Sequence, residues 1–292
     1  MSSGGDLSTS VINLEAIKEY GSSELLRILD SHVGTKALVI DPALSGPLGL
    51  IIGVKLMKEH GVAEFYLLNS PTLRTNCEHV IYLVRPYTNL ISLMIEQIKS
   101  RGTGTGAPQY AAYMVPRHTL MAERQVEAAG LEEFVHVGEY QLDLVPFDSD
   151  VLSLELGASF RECFVSGDLQ CLPAVVRSIV RMQLVCGTIP IIKGKGAVAH
   201  KVAQLLHRTT VELGDKATSF ALPAIESLLL IDRTVDLVSA LMPQMTYEGL
   251  LDETLGIRNN AVELDVDAQE AHKQAVAQAQ AIGKPLPPKP AA

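Results

Sequence analysis

Two α/β domains, each a mostly parallel sheet layered between helices, are what this chain predicts, and three observations predict them. Short apolar runs alternate with stretches of helical period along most of its 292 residues, the pattern of βαβ units. Glycine and proline stand at the ends of those stretches. One break, VPFDSD at 145–150, mixes proline with aspartate and reads as a hinge between domains.

The elements follow in order. KALVID (36–41) has the composition of a buried strand. Residues 47–60 carry the helical period, with Pro47 suited to a first helical position and Gly61 to a stop. EFYLL (64–68) and HVIYLVR (79–85) are the next strands, the latter closed by Pro86. A helix over 87–100 leads to the strand YAAYMV (110–115). A helix over 118–129, ended by Gly130, leads to FVHV (134–137). Beyond the hinge the spacing predicts helices over 157–164 and 169–186, the strand GTIPII (187–192) and a helix over 197–209. LGDKATS (213–219) is a loop and SLLLID (227–232) a strand. Thr246 can cap a last helix, Glu248 suits its positive first turn and Gly256 can end it. Tyr247, Leu250, Leu251 and Leu255 then share one face. Ala and Gln dominate 268–281, a marginal helix before the proline-rich GKPLPPKPAA.

Composition narrows the function classes. A hydrophobic content of 47% against 20% charged residues allows a substantial core. The net charge of −9 argues against nucleic acid as a main partner, because phosphate binding needs clustered Lys and Arg. Without tryptophan, and with 5% aromatic residues, an aromatic stacking platform is not expected. Cys77, Cys163, Cys171 and Cys186 show no C-x-x-C spacing and read as reduced, partly buried thiols of a cytoplasmic protein. MSSGGDLSTS has no Lys or Arg and is not a signal peptide. The apolar runs stop short of the roughly 20 residues a membrane helix needs, so any membrane association must come through a partner.

Candidate chemistry is sparse. GTGTGA (102–107) lies between a helix and a strand, the reverse of a dinucleotide loop, and reads as a surface loop. GKGAVAHK (194–201) follows a strand and opens a helix, so its amides could hold an anion. It lacks the spacing and hydroxyl of a phosphate loop, which leaves a tight glycine turn as the simpler reading. His200 and His207 are scattered along one helix, and no G-x-S-x-G, H-E-x-x-H or paired carboxylates occur. Asp232, Arg233 and Asp236 remain. Charges at the end of a core strand must be paired, and Arg233 can hold a carboxylate with two parallel bonds. A structural clamp is the reading, for which Arg233→Ala should cost the roughly 3–5 kcal/mol of breaking a buried pair.

The stretch LLLIDRTVDLVSALMPQMTYEGLLDE (228–253) resembles the signature of the Sec/Munc (SM) family, proteins that bind SNAREs and promote vesicle fusion. The matching positions are Asp232, Arg233, Asp236, Gln244, Thr246, Tyr247, Glu248, Gly249, Asp252 and Glu253. DPALSGPLGLI (41–51), IYLVRP (81–86), YMVPRHTLMAERQ (113–125), YQLDLVPFDSDVLSLEL (140–156) and GTIPIIKGKG (187–196) resemble its vacuolar-protein-sorting branch, the SM subunit of the class C tethering complexes HOPS and CORVET. The likeness runs from about Val11 to Val262.

The resemblance implies an SM-type arch: a flexible start at 1–10, a first α/β domain at 11–145, an incomplete second α/β domain at 146–264 and an Ala/Gln-rich, then Pro-rich tail at 265–292. The helical third domain is absent, and with it the strands that return to the second sheet. That sheet should therefore carry an unpaired edge or exposed apolar surface. The implied role is non-catalytic, without cofactor or metal: binding SNAREs and class C tethering subunits, peripherally at late endosome, vacuole or lysosome membranes. The alternatives are a truncated, non-functional fragment or a small α/β enzyme binding phosphate near Gly194.

Overall fold

The computed structural model describes residues 14–104, 106–148, 150–214 and 224–262. The expected flexible start at 1–10, most of the loop at 213–219 and the tail from 265 lie outside the described residues. Its contacts divide the chain between Val235 and Asp236 into two compact units.

The first unit holds a five-stranded sheet of β1 (Lys36–Ile40), β2 (Val62–Leu67), β3 (His79–Val84), β4 (Gln109–Met114) and β5 (Val135–Glu139). The order is β2-β1-β3-β4-β5 and every neighbouring pair is parallel. Each residue of the inner strands β1 and β3 is buried, as a sheet covered on both faces requires. Alternate residues serve opposite faces. Leu38, Ile40, Ile81 and Leu83 pack with Leu25, Leu29, Leu44 and Leu48 of α1 (Leu14–Asp30) and α2 (Pro42–Ile51). Ala37, Val39, Val80 and Tyr82 pack with Ile91, Met94 and Val126 of α4 (Thr88–Arg101) and α5 (Leu120–Ala128).

Two boundaries differ from expectation. The helix placed at 47–60 is two helices, α2 and α3 (Val54–Glu59), because Asp41 caps the chain at Pro42 and Gly53 separates the pair. Pro47 therefore sits inside α2 rather than at its start. The hinge at 145–150 is a small antiparallel hairpin of β6 (Val145–Pro146) and β7 (Leu152–Ser153), with Val145 buried in the first core.

After a π-helical turn at Arg161–Ser166 come α6 (Leu172–Cys186), β8 (Ile191–Lys195), α7 (Ala197–Leu213) and β9 (Ser227–Ile231). β8 and β9 pair in parallel as a two-stranded sheet. The strand expected at 187–192 runs later, so Gly194 lies within β8 and the turn into α7 is Gly196 alone. Val176, Ile179, Val180, Val202 and Leu206 of α6 and α7 form a separate core against Leu228 and Leu230. Among the described residues only one face of this sheet is covered: Leu229 is 63% and Ile231 68% exposed.

In the second unit, α8 (Val238–Leu241) and α9 (Tyr247–Thr254) are joined by an extended turn. None of their residues is buried.

Candidate functional site

The parallel register explains why Asp232 follows β9. Lys195 pairs with Ile231, so the next residue on each strand, Gly196 and Asp232, stand side by side at the start of α7. The Asp232 carboxylate accepts from the Val198 amide at 3.0 Å, from the Thr234 amide at 2.9 Å and from the Thr234 hydroxyl. The first amides of a helix have no partner within it, and a carboxylate there also meets the positive end of the helix dipole. The Thr234 hydroxyl above all, with the Val198 and Thr234 amides, holds the Asp232 carboxyl below the usual range despite its burial. Gly196 has φ +107°, and a Cβ there would overlap the Asp232 carboxylate. Glycine is required at this position twice over, by backbone conformation and by space.

Arg233 is not part of a clamp. It lies exposed in the 3₁₀ turn Arg233–Val235, and among the described residues it forms no ion pair. Two amides and a hydroxyl already satisfy the carboxylate, and hydroxyl and amide donors bring no second charge to desolvate. The same geometry removes the phosphate site considered near Gly194. The leading amides of α7 face the chain's own anion, and Lys193–Lys195 are strand, not loop.

The remaining signature residues shape the second unit. Asp236 accepts from the Ser239 amide at 3.0 Å and its hydroxyl at 2.6 Å, opening α8. The Thr246 hydroxyl accepts from the Gly249 amide at 3.1 Å, capping α9 as its sequence predicts. Glu248 sits in the first turn, and Glu253 accepts from the Gln244 amide at 3.3 Å. Gly249 faces Gln244, where a Cβ would come within 2.7 Å of that side chain. Tyr247 is 72% exposed.

A matching device, which the sequence pattern does not single out, stands in the five-stranded sheet. Its order reverses between β1 and β3, the position where open α/β sheets bind ligands beyond the strand ends. Asp41 follows β1 there and is 1% exposed. It accepts from the Ala43 amide at 3.1 Å and from Arg85 Nε at 2.5 Å and Nη2 at 3.3 Å. Asp-Pro after a buried strand was the available signal: a cap residue before a proline at the first helical position. Arg85 also lies 5.0 Å from the centre of the Tyr87 ring. In both sheets, then, an aspartate at a strand end fills the crevice and completes a helix start.

A third cluster joins α1, residues 139–145 and α6. Arg181 pairs with Asp143 at 3.0 Å, donates to the Gln141 carbonyl and side-chain oxygens at 2.5 Å each, and lies 5.3 Å from the Tyr20 ring centre. Burial pushes the Asp143 carboxyl above its ordinary range, outweighing the Arg181 attraction. Glu24 is raised for the same reason. The Tyr140 hydroxyl, fully buried, donates to the Gly21 carbonyl at 3.0 Å.

Among the described residues no helix is long and apolar enough to cross a membrane, and no cluster of His, Cys, Asp and Glu could hold a metal ion. Apolar side chains instead stand outward: Ile191, Leu229 and Ile231 in the first unit, Val238, Leu241, Met245 and Tyr247 in the second.

Comparison with known proteins bears on what such surfaces mean. The chain is 37% identical over 270 residues to vacuolar protein sorting-associated protein 33A of Rattus norvegicus, covering 92% of this chain and 45% of that protein. It is 35% identical to the vacuolar protein-sorting-associated protein 33 homolog of Arabidopsis thaliana, with 92% and 45% covered. The chain thus spans about half the length of the curated relatives it matches. Among solved structures it resembles the Unc18–syntaxin 1 complex from Monosiga brevicollis, with TM-score 0.61, 14% identity, and 91% of this chain and 55% of that one covered. It also resembles the SM protein Vps45 in complex with the Qa SNARE Tlg2, with TM-score 0.59, 17% identity, and coverage of 91% and 53%. At these identities the structures speak for the α/β fold alone. The Sec1 family profile matches residues 36–280, well over half of the sequence, and the chain belongs to the Sec1 family.

Proposed function

We propose that this chain serves vesicle-mediated transport as an SM-type scaffold, binding SNARE proteins and promoting membrane fusion without catalysing a reaction. Its place in this reading is the late endosome, vacuole or lysosome, reached through class C tethering subunits of the HOPS and CORVET type. The first domain is residues 11–145 and the second, in part, 146–264. The names of the sorting relatives support the compartment, and the titles of the SM–SNARE complexes support the partner class.

One observation carries the reading. At both strand-end positions where an α/β protein would take a small ligand, the chain's own aspartate occupies the crevice, while apolar side chains face outward. Surface of that kind is matched to another polypeptide rather than a substrate. SNARE segments are amphipathic helices in this reading and dock by their apolar faces.

Pull-down from purified components tests it: the chain with a panel of SNAREs and class C tethering subunits. Retention of at least one partner is expected, and retention of none across the panel overturns the adaptor role. In parallel, a thermal-shift screen with phosphates, nucleotides and divalent metals should leave the midpoint unchanged, because binding to the folded state would raise it.

A further inference from the structure

Cys163 and Cys171 are eight residues apart in sequence, without the C-x-x-C spacing of a redox or zinc motif, yet their Sγ atoms lie 3.3 Å apart. Local structure brings them together. Cys163 is in the π-helical turn Arg161–Ser166, which Gly167 ends with φ 71°. The Asp168 amide returns to the Glu162 carbonyl at 2.8 Å, and Leu169 leads into Cys171 at the start of α6. Both thiols line an apolar cleft of about 260 Å³, walled by Phe160, Phe164, Val175, Val198 and Ile231. Cys163 is half-buried and Cys171 buried. The other two cysteines are elsewhere: Cys77 packs in the core of the five-stranded sheet and Cys186 ends α6.

We propose that Cys163 and Cys171 form an oxidation-sensitive dithiol, closed to an intramolecular disulfide by a small organic disulfide such as oxidised glutathione. The more exposed Cys163 reacts first. Its thiolate attacks one sulfur of the reagent, forming a mixed disulfide and expelling one thiolate. Cys171 then attacks Cys163 Sγ, forming the internal bond and expelling the second. Two protein thiols are oxidised, one reagent disulfide is reduced, and the two thiol protons end on the two released reagent thiols. Burial first, and then the hydrogen bond to Cys163, push the Cys171 thiol up to about 12, so Cys171 keeps its proton while Cys163 reacts and gives it up to the departing reagent thiolate as it attacks the mixed disulfide beside it. The bond staples the π turn to the start of α6 and stiffens one wall of the cleft beside Asp232.

The test is oxidation of the whole native chain with oxidised glutathione, followed by thiol titration and peptide mapping. Asp168 lies between the two cysteines, so cleavage before aspartate leaves two peptides held together only by the new bond. Loss of two of the four thiols with this linkage is expected. Cys171→Ala, with its fold checked by circular dichroism, should stop at a glutathione adduct on Cys163. Cys163→Ser should form neither adduct nor bond. Retention of four thiols, a stable adduct on Cys163 of the unsubstituted protein, or pairing through Cys77 or Cys186 would each overturn the proposal.

Discussion

Asp232 and Arg233 are neighbours in sequence with opposite consequences for substitution. The Asp232 carboxylate serves three donors, two of them backbone amides. Asp232→Ala should therefore lower stability by about 1 kcal/mol, the cost of losing a carboxylate acceptor for partly exposed donors at a helix start. Asp232→Asn, which keeps an acceptor, should lose less; urea denaturation measures both. Arg233→Ala should change the midpoint by no more than about 0.5 kcal/mol, as at other exposed positions without a partner. A loss of several kcal/mol there would restore the clamp that the sequence suggested. The Asp232 carboxyl is lowered in the folded protein, so its contribution is complete above the ordinary carboxylate range and fades as pH falls through the folded value. Asp232→Asn should accordingly flatten the acid limb of the stability profile.

Elements were legible where burial was one-sided in chemistry. The strands of the first sheet are continuous apolar runs, because helices cover both faces, and their sequence shows it. α1 is hidden in the sequence because Gly21, Ser22 and Ser23 interrupt its pattern. In the structure Gly21 is buried, and even a Cβ would stand 3.4 Å from Ile51, so a small residue is what lets α1 meet α2. The Cys163–Cys171 contact was illegible for another reason: a π turn has no simple sequence period. For the candidate site, the sequence marked Asp232 and the Thr246 cap but gave Asp232 the wrong partner, since register across two strands is not written in either one. Thr246→Ala should reduce stability by about 1 kcal/mol, as loss of a helix cap does. On β9, Leu229→Ser and Ile231→Ser should leave the midpoint within about 0.5 kcal/mol, since both side chains are exposed. If the outward face seats a polypeptide, the same pair should weaken partner retention or concentration-dependent self-association in sedimentation.

At the scale of the whole molecule, the cluster around Arg181 ties the five-stranded sheet to α6. Arg181→Ala strands a buried Asp143 and should cost about 3–5 kcal/mol, measured by calorimetry. The pH response of this joint runs opposite to that of Asp232. Asp143 and Glu24 are raised in the folded protein, so their contribution is complete at low pH and declines as pH rises through their folded values. An Arg181 variant keeps the burial and loses the compensating charge, so its stability should fall further above that window than below it.

The pairing of Asp232 with the Val198 amide spans more than thirty residues of chain. During synthesis at the ribosome, α7 leaves the exit tunnel well before the carboxylate that completes its start. Until β9 emerges, that helix must stand with bare amides and half a core, a form suited to capture by chaperones. Arrested nascent chains just too short and just long enough to bring Asp232 out of the tunnel should differ sharply in protease resistance across α7.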